Sequence, residues 1–303
     1  MNGYASAIFN PAMPFVRNAL LAGLLSAVLF GTLGAVVTVK RIAGLAGAIS
    51  HAVLGGIGMA LYLSARNIVP GLPPMVGALV FAVLAAAIIG FVSLRAKQRE
   101  DTVINALWAI GMSVGVLFIA KTPGYADPMS YLFGNILLVS TRDLVLLAIL
   151  DAVVVFLAWR YYPQIEASAF DEEFARVRGV PTDAVFIATL AVTAVAVVLL
   201  QTFVGIVMVI AMLTLPSGTA GYAAKNLAAM MIGGTILSAV FTVGGLAASW
   251  ALDMPAGAVV VVIAGAAFLS ASALVAARKG KTGRKVRGGA MLAEAPASER
   301  EGE

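Results

Sequence analysis

The chain has 303 residues, of which 61% are hydrophobic and 12% are charged, with a net charge of +5 at neutral pH. The charged fraction is about half that of an ordinary soluble domain and the mean hydropathy is +0.99, so a soluble fold could not cover its exterior with polar side chains. Cysteine is absent, which excludes disulfides, thiolate metal sites and cysteine nucleophiles. The composition indicates an integral membrane protein.

Apolar runs that could cross a bilayer, which requires about 20 residues each, recur along the whole chain. They predict an all-α, polytopic membrane helix bundle of eight to nine transmembrane helices. The nine candidate segments are 15–39, 45–64, 74–94, 102–120, 143–161, 183–201, 203–222, 227–250 and 257–277.

The remaining segments are assigned by length and charge. The apolar segment 128–140 is too short to span, so we expect a short re-entrant or interfacial helix there. Residues 1–14 are expected to form an extracytoplasmic segment, and 162–182 a cytosolic loop within the membrane domain 15–277. The charged stretch 278–303 is predicted to be a solvated, disordered cytosolic tail.

The basic residues predict the orientation of the chain. With the N-terminus outside, only four of the twenty Lys and Arg residues fall outside, namely Arg17, Arg66, Lys121 and Arg142. The other sixteen fall on the cytosolic side, where short loops of membrane proteins concentrate positive charge. The net charge of +5 therefore reports orientation, and no nucleic acid is expected as a partner.

The only histidine, His51, lies inside the second apolar run, beside Ser50 and among several glycines. A neutral imidazole is the commonest protein ligand for a borderline transition metal. The small residues around it allow close backbone approach and a narrow passage. The alternative is a structural histidine whose ring bonds to a neighbouring helix.

Asp151 lies near the middle of the apolar segment 143–161. An acidic residue at that depth faces the bundle interior or a water-filled cavity, so it could bind a cation transiently during its passage. The alternative is a protonated carboxyl group that is hydrogen-bonded to a neighbouring helix.

The cytosolic stretch from Phe170 to Pro181 has the pattern of a short, capped amphipathic helix. Phe170, Phe174 and Val177 recur at helical spacing. Acidic residues lie in the first turn, and arginines lie just before the glycine that ends the helix. Such a helix suits docking onto a soluble partner, or lies on the membrane surface. The candidate coupling residues are Asp171, Glu172, Ala175, Arg178 and Gly179.

The segment 203–222 contains Gly205 and Pro216, which predict a helix that can kink and act as a hinge. Met208 and Met212 lie one turn apart on it, a spacing that more often reports packing than contact with a substrate. In the fourth segment, Gly111 and Gly115 fit the small-xxx-small pattern and predict close packing against another helix.

These segments, in order, resemble the permease subunits of the bacterial ABC importers for zinc, manganese and iron, the ABC-3 metal permease family. The resemblance covers nearly the whole chain. It rests on Lys40-Arg41 leading to Ser50-His51-Ala52, Glu100-Asp101, Leu132 to Leu137, Phe170-Asp171 with Ala175 and Gly179, Gly205 through Pro216 and Ala220, and Asp253-Met-Pro255-Ala-Gly257.

The resemblance implies a dimeric pore, homodimeric or pseudo-dimeric, in the bacterial cytoplasmic (inner) membrane. It would take a divalent metal from an extracytoplasmic binding protein and work by alternating access. Two cytosolic ATPase subunits would use the ATP, so the chain would not be an enzyme and would hold no permanent cofactor. The stretch Asp171 to Gly179 would be the coupling helix, and His51 a contact for the passing ion.

One departure from the family bears on the metal. The family usually has an aspartate four residues before this histidine, and here that position is Gly47. A lone imidazole suits a hard ion such as manganese poorly. Either Asp151 or another carboxylate completes the site, or the passage binds the ion only fleetingly; zinc is therefore expected ahead of manganese or iron.

Three other functions are compatible with the sequence. A permease for an iron chelate or a corrinoid uses a similar cytosolic Ala-xxx-Gly loop. A proton-coupled secondary metal carrier could rest on Asp151 alone and would need no ATPase. An intramembrane serine hydrolase would pair Ser217 with His51, although no Gly-x-Ser-Gly context surrounds Ser217.

Overall fold

A computed structural model describes residues 2–95, 100–123, 134, 136 and 139–293, and these contain helices and no strand. The predicted all-α, polytopic bundle is therefore confirmed. The helices are α1 (Asn2–Ile8), α2 (Pro14–Val39), α3 (Ala43–Ala65), α4 (Pro74–Arg95), α5 (Glu100–Lys121), α6 (Thr141–Arg160), α7 (Tyr162–Phe170), α8 (Glu172–Val177), α9 (Thr182–Val204), α10 (Ile206–Gly221), α11 (Leu227–Leu252) and α12 (Ala256–Ala293).

The number of spans is slightly lower than the upper end of the prediction. Seven helices in the described part are long and apolar enough to cross a membrane, or eight if the bent pair α6 and α7, which meet at 72°, is one span. The candidate 203–222 is not a full span, because Gly205 breaks it. What remains is α10, whose 16 residues rise about 24 Å against a hydrocarbon core of about 30 Å.

One end of the bundle is defined by contacts between α2, α7 and α11. Leu227 at the start of α11 belongs to a small apolar cluster with Val39 and Tyr162. The Tyr162 hydroxyl accepts a hydrogen bond from the Ala228 amide at 3.1 Å. Since α8 follows directly after α7, we call this the α8 end.

The opposite end is where α9 gives way to α10. The backbone of Gly134 lies against that of Gly205, and the Asn18 side chain donates to the Val139 carbonyl at 3.2 Å. Gly205 has φ +83° and ψ +159°, a conformation essentially confined to glycine. We call this the Gly205 end.

The core is built around α2 and α3, which are mostly buried. Small residues let α3 approach both neighbours closely: a Cβ on Gly56 would strike the Gly77 carbonyl of α4. On the other side, Gly111 of α5 lies against Ala52, and Gly115 against Leu54. The small-xxx-small prediction for α5 is confirmed, and its partner is α3.

Two predictions concern segments near the limits of the described residues. The re-entrant helix predicted at 128–140 lies mostly outside them. At the C-terminus, α12 continues to Ala293. The sequence predicts that the last membrane helix ends at 277 and that a disordered tail begins at 278, so the helix is longer than predicted. The helix can continue because no proline occurs between Pro255 and Pro296.

Candidate functional site

His51 lies buried in the middle of the bundle on α3. Its side chain is 8% exposed, and its Nδ1 atom is buried without a hydrogen-bond partner. Ser50 beside it donates its hydroxyl to the Ala46 carbonyl at 2.9 Å, within the same helix. A buried polar atom without a partner calls for an explanation, and an imidazole nitrogen in that state is free to meet a ligand.

The imidazole ring of His51 is covered on one face by Trp108 of α5. The ring centroids are 4.6 Å apart and the planes are inclined by 14°. The indole is 44% exposed, so it stands between the histidine and the outer surface of α5. The role of Trp108 could not be predicted from the sequence, because its stacking depends on the register in which the α5 glycines meet α3.

The outer face of α5 carries polar residues that the sequence analysis also missed. Asp101, Asn105 and Ser113 are exposed on this helix. Polar side chains facing lipid are costly, so in membrane proteins they normally face protein or water. The signal was available for Asn105, which interrupts the apolar run one helical turn before Trp108 and so lies on the same side of the helix.

Gly47 stands one helical turn before His51, where the resembled family usually has an aspartate. The residue is buried, yet a Cβ added to it would meet no atom within 4 Å. The chain therefore has unfilled space on the side of α3 that leads to His51. Among the described residues, no group of three or more His, Cys, Asp or Glu side chains could hold a metal ion.

Asp151 is buried on α6, on the stripe that also carries Leu147 and Val154. It is 7% exposed, and neither carboxyl oxygen has a hydrogen-bond partner. However, α6 packs chiefly against α2, whereas α3 packs against α4 and α5. The structure thus places Asp151 and His51 in different helix interfaces.

The candidate hinge residues Met208, Met212 and Pro216 are all buried in α10, so packing accounts for both methionines. Met208 also lines a cavity of about 460 Å³ at the Gly205 end, together with residues of α2 and the α11–α12 turn. Ser217 is fully buried and donates to the Phe30 carbonyl at 3.4 Å. This contact with α2, and the stacking of His51 on Trp108, do not support a serine–histidine pair.

The predicted amphipathic helix is present as α8. The Asp171 carboxylate caps it by accepting from the Phe174 amide at 2.9 Å, and the chain leaves it at Gly179, where φ is +84°. Only Ala175 is buried in this helix, while Phe174 and Val177 are 55% and 87% exposed. The helix therefore presents an uncovered apolar surface.

The charges of α8 are arranged differently from the predicted set. Arg176, which the sequence analysis did not select, makes ion pairs with Glu172 at 3.2 Å and Asp183 at 2.7 Å. Arg178 lies over the Phe174 ring, 5.0 Å from its centroid. These contacts hold α8 to the start of α9 and leave its apolar face open.

Comparison with known proteins gives matches over most of the chain. A model of the ABC 3 transport family matches residues 12–275. The "Probable metal transport system membrane protein" of Chlamydia muridarum is 33% identical over 264 residues, which cover 87% of this chain and 90% of the relative.

A second relative and a solved structure give similar coverage. The "Manganese transport system membrane protein MntC" of Listeria monocytogenes is 30% identical over 251 residues, covering 82% and 87% of the two chains. PsaBC from Streptococcus pneumoniae, solved in complex with Fab, matches with a TM-score of 0.77 and 27% identity, over 89% of this chain and 94% of that one.

Proposed function

The chain belongs to the ABC 3 transport family, and on that premise we propose that it is the permease subunit of an ABC importer for a divalent transition metal. The relatives from Chlamydia and Listeria are named for metal and manganese transport, which supports a metal as the cargo. In this role the chain performs no catalysis, and ATP acts through a separate ATPase.

The observation that carries the proposal is the surroundings of His51. A buried imidazole with an unpartnered Nδ1 has unfilled space at Gly47 one helical turn away, and its ring is covered by Trp108 of α5. This arrangement offers an ion a passage with few ligands. Shallow binding suits a transport route, because an ion must leave as readily as it enters.

We propose zinc as the preferred cargo, ahead of manganese and iron. Zinc is bound readily by imidazole nitrogen, whereas manganese favours carboxylate and water oxygen. The aspartate that would supply such an oxygen is replaced by Gly47. Asp151 is a second ion contact on this account, separate from His51 and reached within the α2–α6 interface.

The partners follow from the two ends of the bundle. With the N-terminus outside, the α8 end lies in the cytosol of a bacterium, and the inner membrane is the expected location. Asp171, Glu172, Ala175, Arg178 and Gly179 would then seat α8 on the ATPase. A metal-binding protein would deliver the ion at the Gly205 end.

A second copy of the permease would face the side of α5 that carries Asn105 and Trp108, which completes a pore between two chains. A two-fold dimer is the commonest arrangement of identical chains among soluble proteins. In alternating access, Gly205 and Pro216 would let α10 pivot, while Met208 and Met212 keep its contact with α2.

The proposal is tested by reconstituting the permease into liposomes with its ATPase and binding protein, and supplying zinc and manganese separately. We expect ATP-dependent uptake, with zinc taken up faster. Uptake that continues without the ATPase would indicate a secondary carrier and contradict the proposal. Uptake of a metal chelate in place of the free ion would favour a chelate permease.

A further inference from the structure

The turn between α2 and α3 is unusually tight and has a strained residue at its centre. The Ile42 amide donates to the Val37 carbonyl at 3.0 Å, and the Lys40 amide to the Val36 carbonyl at 2.9 Å. Arg41 has φ +59°, a left-handed conformation that residues other than glycine rarely adopt. The turn therefore fixes the end of α2 to the start of α3, the helix that carries His51.

The side chain of Lys40 reaches from this turn towards the corner formed by α7, α8 and α9. Its Nζ donates to the Ser168 hydroxyl of α7 at 3.4 Å and lies 5.8 Å from the centre of the Phe186 ring of α9. Glu172 of α8 lines the same cavity as Lys40 and Ser168. Lys40 thus contacts α7 and α9 and shares a cavity with α8.

The ammonium group is held there despite an unfavourable environment. Burial lowers the pKa of Lys40, and the nearby Glu172 carboxylate opposes that change. A half-buried lysine keeps its charge only where partners compensate for lost hydration. Lys40, Ser168 and Glu172 help to line an open cavity of about 490 Å³, so the ammonium, hydroxyl and carboxylate groups border the same space.

The other charged contacts of α8 do not reach the helix that bears the histidine. Arg176 pairs with Glu172 and Asp183, which are on α8 itself and at the start of α9. In the described part of the chain, both ion pairs of this end therefore remain within the α8–α9 corner. Lys40 is the charged side chain that joins this corner to the α2–α3 turn.

We propose that Lys40 is a positioning residue that transmits displacement of α8 to α3 and so to His51. The inference rests on the proposed function, since it requires a partner that moves α8. Because α8 follows directly after α7 and is ion-paired to the start of α9, a shift of α8 acts on Lys40 through Ser168 and Phe186, and so on the α2–α3 turn. The tight turn passes the motion to α3, whose His51 lies two helical turns beyond its start.

The test compares Lys40→Met, which keeps the length and apolar stem of the side chain, with Lys40→Arg, which keeps the charge. Lys225→Met is the matched control, because Lys225 is an exposed lysine at the same end of the bundle. Each variant is reconstituted with the ATPase and the binding protein. Metal uptake and ATP hydrolysis are measured together, and their ratio is compared.

We expect Lys40→Met to assemble and hydrolyse ATP, but to move about five-fold less metal per ATP, since its charged contacts are lost. Lys40→Arg should recover most of the ratio, and Lys225→Met should match the wild type. An unchanged ratio in Lys40→Met, or an equal loss in Lys225→Met, would overturn the proposal. If Lys40→Met fails to assemble, Ser168→Ala should lower the ratio to a smaller extent, and no change there would overturn it.

A second readout does not depend on metal. With Trp159→Phe and Trp250→Phe in place, Trp108 is the sole tryptophan, and it reports on the His51 ring that it covers. ATP binding should change its fluorescence in the wild-type background and in Lys40→Arg, but not in Lys40→Met. A wild-type complex that moves no metal would refute the proposed function, whereas an equal response in Lys40→Met would refute only the relay.

Discussion

The imidazole of His51 lies parallel to the indole of Trp108, with ring centroids 4.6 Å apart. This contact joins the sole histidine to the exposed side of α5, and it leaves the buried Nδ1 without a partner. On the proposed function, this arrangement would offer a passing ion the Nδ1 atom of His51 as its nitrogen ligand, because the stacked indole covers one face of the imidazole and leaves the edge of the ring free.

Gly47→Asp should turn this weak site into a stronger one. The space at Gly47 accepts a Cβ without contact, and an acid there lies one turn from His51, where residues four apart share a helix face. We expect metal to bind about ten-fold more tightly, equivalent to about 1.4 kcal/mol. The affinity for manganese should increase more than the affinity for zinc, because a carboxylate is a hard ligand.

Metal retention on the purified permease checks this prediction, together with turnover in liposomes, which should fall as binding deepens. Gly47→Asn is the control, since it has similar size without charge and should gain little. Equal retention by both variants and the wild type would show that Gly47 does not face the ion route.

Gly205→Ala should destabilise the bundle at the reversal between α9 and α10. Gly205 has φ +83° and ψ +159°, a region that costs other residues about 1–3 kcal/mol. Gly244 in α11 is exposed, and a Cβ on it would meet nothing within 4 Å, so Gly244→Ala is the matched control. Thermal unfolding in detergent should show a lower melting temperature for Gly205→Ala alone; the same melting temperature in both variants would mean that the backbone relaxes freely.

Val177→Asp should weaken the association with the ATPase. Val177 is 87% exposed on α8, and full burial of such a side chain is worth about 1.5 kcal/mol or more, so roughly a ten-fold loss of affinity is expected. Phe9→Asp places the same charge on an exposed apolar residue at the other end of the bundle and should not affect the ATPase. Co-purification of the ATPase measures both, and undiminished recovery with Val177→Asp would exclude α8 as the docking surface.

The hydropathy of the sequence was sufficient to locate the helices, because each apolar run must satisfy its backbone internally. It did not determine that the run 203–222 breaks at Gly205, since glycine is tolerated in straight membrane helices as well. The capped helix α8 could be predicted because its signals are local: Asp171 at its start and Gly179 at its end.

The neighbours of His51 could not be predicted in the same way. The pattern of Gly111 and Gly115 predicts a close partner for α5, but it does not say that α3 is that partner, nor that the register brings Trp108 onto His51. Likewise, burial alone favours Asp151 as a second ion ligand beside His51. The packing of α6 on α2 instead puts it in another interface.

If an ion crosses the permease past His51, metal uptake depends on that imidazole, and the His51→Ala variant measures this dependence. The variant is reconstituted with the ATPase and the binding protein, and zinc and manganese are supplied separately. Ser217→Ala serves as the control, because it removes a buried hydroxyl that contacts α2. We expect His51→Ala to assemble normally but to lose most uptake, by about ten-fold or more as for a lost metal contact, while Ser217→Ala transports like the wild type. Full uptake of both metals by His51→Ala would show that the ion does not depend on His51.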